Sequence, residues 1–446
     1  MLDLVFKAPR VITVVGEVAR SIGVQDGKIV AIEPLEAGLE AEQVVQLRDD
    51  EVLLPGLVDT HVHINEPGRT EWEGFHSATR AAAAGGVTTV IDMPLNSIPP
   101  TTTVEALAVK RQAAEGNVFV DTGFWGGAVP DNLDQLRPLH DAGVFGFKCF
   151  LLHSGVDEFP HLNTKQMEEA LQHMHDFGAL MIVHAENSDA IDRAPSAEGE
   201  RYRKFLASRP RGAENMAIAE VIEAARYTRA RVHVLHLSSS DALPMLASAR
   251  RDGVLITVET CPHYLSFSSE LIPDGATQFK CCPPIRESGN RDLLWQGLKD
   301  GIIDCIVSDH SPSTPDLKRF DIGDFGVAWG GISSLQLGLP AIWTQAKVRG
   351  FSLVDVTEWM AARTARLAGL ARKGRIALGY DADFCLFAPD EASVVDASKL
   401  YHRHAVTPYE GLPLAGVVRR TWLRGEPLDL TEGAVPRGRL LSRGDA

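Results

Sequence analysis

From residue 57 onward, short runs of β-branched and aliphatic residues alternate with longer stretches rich in Ala and Leu, and no other feature limits the possible folds as much. Eight such runs stand at 57–63, 87–93, 118–124, 146–151, 179–184, 231–237, 254–260 and 302–307. Stretches of helical period follow most of them, for example at 164–177, 213–227 and 240–251. Strands separated by whole helices pair in parallel, because antiparallel neighbours are joined by tight hairpins. Eight βα units over roughly 300 residues match the size of a closed (β/α)8, TIM-like barrel. An open doubly wound sheet is the competing α/β design. It would carry a GxGxxG turn after its first strand, and none is present.

The two ends of the chain share a different texture. Residues 11–15, 21–25 and 28–33 are apolar-rich and strand-like, with Asp26-Gly27 as a turn signal, and Leu54-Pro55-Gly56 then punctuates the chain. After residue 372 strand-like pieces return at 375–376, 383–387 and 417–424. The economical reading is a small β-sandwich built from 1–56 and 372–446, interrupted by a barrel over 57–371.

Composition removes several function classes. Over 446 residues the formal charge is −15, and an acidic surface repels phosphate backbones, so no nucleic-acid partner is expected. No apolar run reaches the roughly 18 residues that cross a bilayer, so no membrane partner is expected either. The N-terminus lacks the basic leader and long apolar stretch of a secretory signal, which points to the cytoplasm. The six cysteines, two of them adjacent at 281 and 282, show no CxxC spacing and read as reduced thiols.

Chemistry concentrates where the strand-like runs end. In Asp59-Thr60-His61-Val62-His63, alternation puts His61 and His63 on one face, where two imidazoles can hold one cation. Two unrelated histidines would give the same pattern. However, His184 ends the fifth run, His236 lies at the end of the sixth, Asp309 follows the eighth, and Lys148 lies in the fourth. A barrel places its active site at the C-terminal ends of its strands. Polar groups inside apolar runs are costly unless paired or metal-bound. Lys148 is the odd member, since an ammonium repels a cation; it is either a buried salt-bridged lysine or an amine neutralised by CO2.

His61-Val62-His63, Lys148, His184, His236 and Asp309 resemble the binuclear amidohydrolase superfamily, in the branch of hydantoinases, dihydroorotases and allantoinases. The similarity covers essentially the whole chain. Within the branch, Lys148-Cys149-Phe150-Leu151, the stretch 154–159, Ser308-Asp309-His310-Ser311-Pro312 and Trp329-Gly330-Gly331-Ile332 look most like the allantoinases. Dihydroorotases typically carry an arginine two places after the second histidine to grip a carboxylate. Here that place holds Asn65, with Arg69 nearby. Hydantoinases typically place a tyrosine five residues after the bridging lysine, where this chain has His153.

The resemblance implies two divalent ions, zinc foremost, with cobalt, manganese or nickel as alternatives. His61, His63 and Asp309 would hold one, His184 and His236 the other, and Lys148, as N6-carboxylysine formed with CO2, would bridge them. A hydroxide between the ions would attack a ring carbonyl, with Asp309 as general base and then acid, opening allantoin to allantoate. Asn96, His153, Ser154 and Cys282 are expected to contact the substrate. His263, His310 and Glu186 are expected to support the ligands from behind. A homotetramer is expected by analogy. The alternatives are a dihydropyrimidinase or hydantoinase, a dihydroorotase, or a non-enzymatic scaffold that has lost its ligands.

Overall fold

A computed structural model describes residues 1–444. Eight parallel barrel strands run in chain order: Leu57–Val62, Val87–Asp92, Asp121–Phe124 continuing as Gly126–Gly127, Phe147–Phe150, Leu180–His184, Arg231–Val234, Ile256–Thr260 and Cys305–Ile306. The third strand breaks at Trp125, whose N–H donates to the Asp92 carbonyl at 3.0 Å. Its second half then pairs with the fourth strand, Lys148 opposite Gly127. The ring closes where His63 N–H donates to the His310 carbonyl at 2.8 Å, beside the parallel bridge between Val62 and His310. Helices cover the outside, so the strands are buried on both faces and read as continuous apolar runs.

The helices follow the expected stretches closely. Thr164–His175 begins with a capping box in which Asn163 and Gln166 satisfy each other's backbone N–H groups. Arg211–Thr228 fills the second stretch, and the third opens as a 3-10 turn, Ser240–Ala242, before Leu243–Arg251. Among the described residues no helix is long and apolar enough to cross a membrane.

Both ends of the chain build one further sheet, in the order Glu426–Pro427, Pro413–Leu423, Phe384–Val394, Val52–Pro55, Leu2–Thr13, Gly16–Gln25, Lys28–Glu33. Ala41–Gln46 adds parallel to Leu2–Thr13. This is the small β-sandwich. Its apolar faces close on Phe6, Ile22, Phe384 and Trp422, with the Phe6 ring 4.9 Å from Phe384 and 5.1 Å from Trp422. Asp26 and Gly27, with φ of 52° and 73°, turn the Gly16–Gln25 strand into Lys28–Glu33. Residues 375–376, expected as a strand, form none. Val52–Pro55 is already flanked by Leu2–Thr13 and Phe384–Val394, so no sheet edge is open to them there. Arg375 instead donates to Glu358 at 2.9 Å, and Ile376 packs into the sandwich core.

Gly56 marks the passage from sandwich to barrel, and a Cβ there would lie 2.2 Å from Thr88 Oγ1. The buried Lys373 ammonium fastens the two parts, reaching Asp121 on the third barrel strand at 2.6 Å, Asp383 at 2.8 Å and Asp381 at 2.9 Å.

Candidate active site

The strand Leu57–Val62 delivers His61 and His63 to the C-terminal mouth of the barrel. His61 Nδ1–H donates to Glu259 at 2.6 Å, so its Nε2 turns inward, 3.1 Å from Asp309 Oδ1. His63 Nδ1–H donates to the Leu95 carbonyl at 3.2 Å, leaving its Nε2 3.7 Å from the same oxygen. The carbonyl fixes the His63 tautomer because it only accepts, whereas His61 has a carboxylate at each ring nitrogen. His184, the last residue of its strand, has Nε2 held at 2.8 Å by Glu186, which also accepts from Arg209 at 2.5 Å. The ring centroids of His61 and His236 lie 5.4 Å apart, and those of His184 and His236 4.5 Å apart. The structure thus brings His61, His63, His184 and His236 together around Asp309.

Backbone strain appears at this place. His236 and Asp309 both adopt positive φ, 34° and 45°, a region that side chains other than glycine enter at a cost and that clusters at functional sites. His310, next in the chain, accepts from Ser334 N–H at 3.1 Å and bonds Glu73 at 3.1 Å, which anchors the turn carrying Asp309. His263 is fully buried with both ring nitrogens unpartnered, and its ligating atom lies within 4.8 Å of those of Cys261 and Asp309.

Electrostatically the cage groups shift in different directions, with burial disfavouring the cations of His63, His184 and His236. Burial pushes the Asp309 carboxyl up, but His61, His236 and His63 outweigh it and hold it well below the usual carboxylate range. Burial likewise disfavours the His61 cation, yet Asp309 and Glu259 raise its pKa to about 9. Lys148 is 1% exposed, and burial lowers its pKa to about 8. Among the described residues its Nζ has no hydrogen-bond or ion-pair partner; its neighbour is the Phe150 ring, 4.7 Å away. An unpaired buried amine among ligating groups is the signature of a missing partner.

Above the cage lies a cleft of about 490 Å3, whose lining includes His63, Lys148, His184, His236 and Asp309. The four residues expected to contact substrate also line it, with different freedom. Asn96 is buried and donates to Asn65 Oδ1 at 3.0 Å. Ser154 spends its hydroxyl proton on its own turn, toward Phe159 O at 2.6 Å and Val156 O at 3.0 Å. His153 is largely exposed and bonds Asp157 at 3.3 Å. Cys282 is half-buried in the wall. Cations near the cleft are committed elsewhere: Arg69 to Glu158, Arg209 to Glu186, and Lys280 to the Ala328 carbonyl at 2.6 Å.

The amidohydrolase family profile matches residues 52–428. An allantoinase of Streptomyces avermitilis is 59% identical over 446 residues, covering 99% of each chain. The chain belongs to the amidohydrolase family. Among amidohydrolases it stands with the allantoinases and is a hydrolase of cyclic amides. An allantoinase of Saccharomyces cerevisiae is 49% identical over 84% of this chain and 82% of its own. An L-hydantoinase (dihydropyrimidinase) from Arthrobacter aurescens superposes with a TM-score of 0.92 at 30% identity, over 99% of this chain and 100% of that one.

Amidohydrolase membership implies a binuclear metal centre, and the residues here fit one. The Nδ1 of His236 is buried and unpartnered, the inward Nε2 of His61 faces only Asp309, and His61, His236 and Asp309 present ligating atoms within 4.8 Å of one another. Sequence reasoning missed Glu259 and Arg209. A lone carboxylate inside the β-branched run Thr257-Val258-Glu259-Thr260 was the available signal for the first; Arg209 carried none.

Proposed function

We propose that this site opens the ring of allantoin to allantoate by hydrolysing a cyclic amide bond. The observation that carries the reading is Lys148, a buried amine without an anion or carbonyl partner, set among four imidazoles and Asp309 beneath an open cleft. His61, His63 and Asp309 would hold one divalent ion and His184 and His236 the other, with Lys148, carboxylated by CO2, contributing to both. When bound, two such ions, zinc ahead of cobalt, manganese or nickel, supply an activated water and polarise the ring carbonyl.

The chain's own groups do the rest. Glu259, Leu95 and Glu186 fix the orientation of three imidazoles before substrate arrives. Asp309, steadied by the Ser311 hydroxyl at 2.9 Å, takes the water proton as the new C–O bond forms. It returns that proton to the ring nitrogen as the C–N bond breaks, giving an open-chain acid. Asn96, His153, Ser154 and Cys282 are the candidates for grasping the ring and its ureido group.

The substrate class follows from charge. Dihydroorotate presents a carboxylate, and a site built for it would aim an arginine fork into the cleft. Arg69 and Arg209 are each bound to a glutamate instead. A neutral ureido ring suits these walls. The allantoinase relatives support the same choice.

The same reading divides the chain into a barrel over 57–371 and a sandwich from 1–56 and 372–446, supported by the tight passage at Gly56. It includes a cytoplasmic homotetramer, consistent with six unpaired cysteines. The decisive experiment is turnover of allantoin, hydantoin, dihydrouracil and dihydroorotate by one preparation whose metal content is also measured. Preferred turnover of allantoin at two ions per chain is expected. Preference for any other ring overturns the substrate, and full activity without metal overturns the mechanism.

A further inference from the structure

The cage can serve any cyclic amide, so choice among rings must come from the walls above it. Two wall segments meet the cleft, 152–155 after the fourth barrel strand and 328–331 after the eighth. The first is tied to the loop after the first strand by two separate routes. In one, Arg69 donates to the Glu158 carboxylate and, at 2.5 Å, to the Asn96 carbonyl. In the other, the Trp72 ring meets Trp329 edge-on with centroids 5.1 Å apart, and Trp329 covers Gly155, where a Cβ would lie 3.2 Å from the indole. Gly155 has φ +98°, so a side chain there is unfavourable twice over.

The routes join. The Arg69 guanidinium lies over Trp72, 5.2 Å from its centroid. The Ser154 hydroxyl closes 154–159 into one compact turn, which links Gly155 to Glu158. Contacts therefore run in a ring from Arg69 through Trp72, Trp329, Gly155 and Glu158 back to Arg69. Trp329 is also fixed from behind. Lys318 Nζ donates to the Trp329 carbonyl at 3.2 Å and the Gly331 carbonyl at 2.6 Å, and Lys280 Nζ holds Ala328. Both lysines are buried, and neither has a carboxylate partner among the described residues. Such a wall keeps its shape when a ligand arrives, and binding energy is not spent on ordering it.

We propose that Trp329, with Arg69 and Glu158, forms a positioning clamp that holds the 153–155 turn against the cleft, so that the neutral ureido substituent of the ring, and not the ring alone, contributes to binding. The inference rests on the allantoinase reading above and deepens it. These are positioning residues: they set the wall, while the reacting atoms meet the cage below.

The test compares kcat and KM for allantoin and for hydantoin, which lacks the ureido group, in metal-loaded wild type, Trp329→Ala, Trp329→Phe, Arg69→Met, Glu158→Gln and the Arg69/Glu158 double variant. The preference for allantoin should fall about 10-fold or more in Trp329→Ala, chiefly through KM, since lost uniform binding leaves kcat standing. Phe should restore most of it. The double variant should lose no more than its worse single parent, because both remove one contact. Metal content should stay at the wild-type level. An unchanged preference in Trp329→Ala, or an equal loss on both rings carried by kcat, overturns the clamp. If Trp329→Ala does not fold, Arg69→Met and Glu158→Gln decide by the same ratio. A wild type that prefers hydantoin defeats the substrate assignment, whereas an unmoved ratio among variants defeats the clamp.

Discussion

Glu259 accepts the Nδ1 proton of His61 across 2.6 Å and so determines that Nε2 is the nitrogen facing Asp309. Its second oxygen bonds His233 at 3.0 Å, and His233 in turn reaches the Thr257 hydroxyl at 2.8 Å. Burial alone would raise the Glu259 pKa, but His61 and His233 hold it at about 2, so it stays an anion at any working pH. Partners of this kind typically govern metal affinity by 10- to 100-fold, roughly. Glu259→Ala is therefore expected to lower metal affinity by about that factor, measured by competition with a chelator. An affinity equal to wild type would mean that the orientation of His61 needs no anchor.

Lys148→Ala should lose metal retention and activity together, and short-chain carboxylic acids should restore part of both. A free acid can occupy the volume the side chain leaves and supply the two oxygens that the amine lacks. Metal analysis of the variant with and without propionate checks this. Ordinary metal content and turnover without added acid would show that the lysine does not help hold the ions.

Asp309→Asn should keep much of the metal and lose turnover by roughly 100- to 10,000-fold, the usual worth of a general acid–base group. An amide oxygen can still face a cation but cannot carry a proton from water to nitrogen. Steady-state kinetics on a sample of known metal content separates the two effects. Turnover near the wild-type rate would remove Asp309 from proton transfer.

Lys373→Met should cost about 3 to 5 kcal/mol of stability, because it leaves Asp383 buried without a side-chain cation, whereas Asp121 keeps Arg424 at 2.6 Å. Burial disfavours the Lys373 cation, but Asp383, Asp121 and Asp381 outweigh it and lift its pKa above 10.5. A base whose pKa rises on folding contributes fully below its unfolded value and loses the contribution as pH climbs through the folded one. The deficit of the variant should thus be the same at pH 7 and pH 9 in urea unfolding. A difference below about 1 kcal/mol, the scale of an exposed pair, would make the cluster incidental.

The barrel was legible because strands buried on both faces need unbroken apolar runs, and those runs stand out against helical stretches. Even the last strand, only Cys305–Ile306 in the sheet, lay inside the expected 302–307. The cage was legible for a related reason: histidines, a lysine and an aspartate interrupt runs that otherwise exclude polar groups. Residues 375–376 misled because local apolar character says nothing about whether a neighbouring edge is open. The walls were the least legible. Gly155 and Trp329 touch through loops far apart in sequence, and neither shows a periodicity. Ser154, on the loop after Lys148, lines the cleft as expected, and what its neighbours in sequence did not show is that its proton serves the turn that carries it.

The pairing of Val52–Pro55 with Phe384–Val394 has a consequence for how the molecule is made. A ribosome delivers the first strands long before their neighbours exist. The early sheet must wait with a bare edge while the entire barrel emerges, and only a chain translated past Phe384–Val394 can cover it. Premature termination would leave an open edge able to recruit a second chain, so aggregation of nonsense products comes built into this topology.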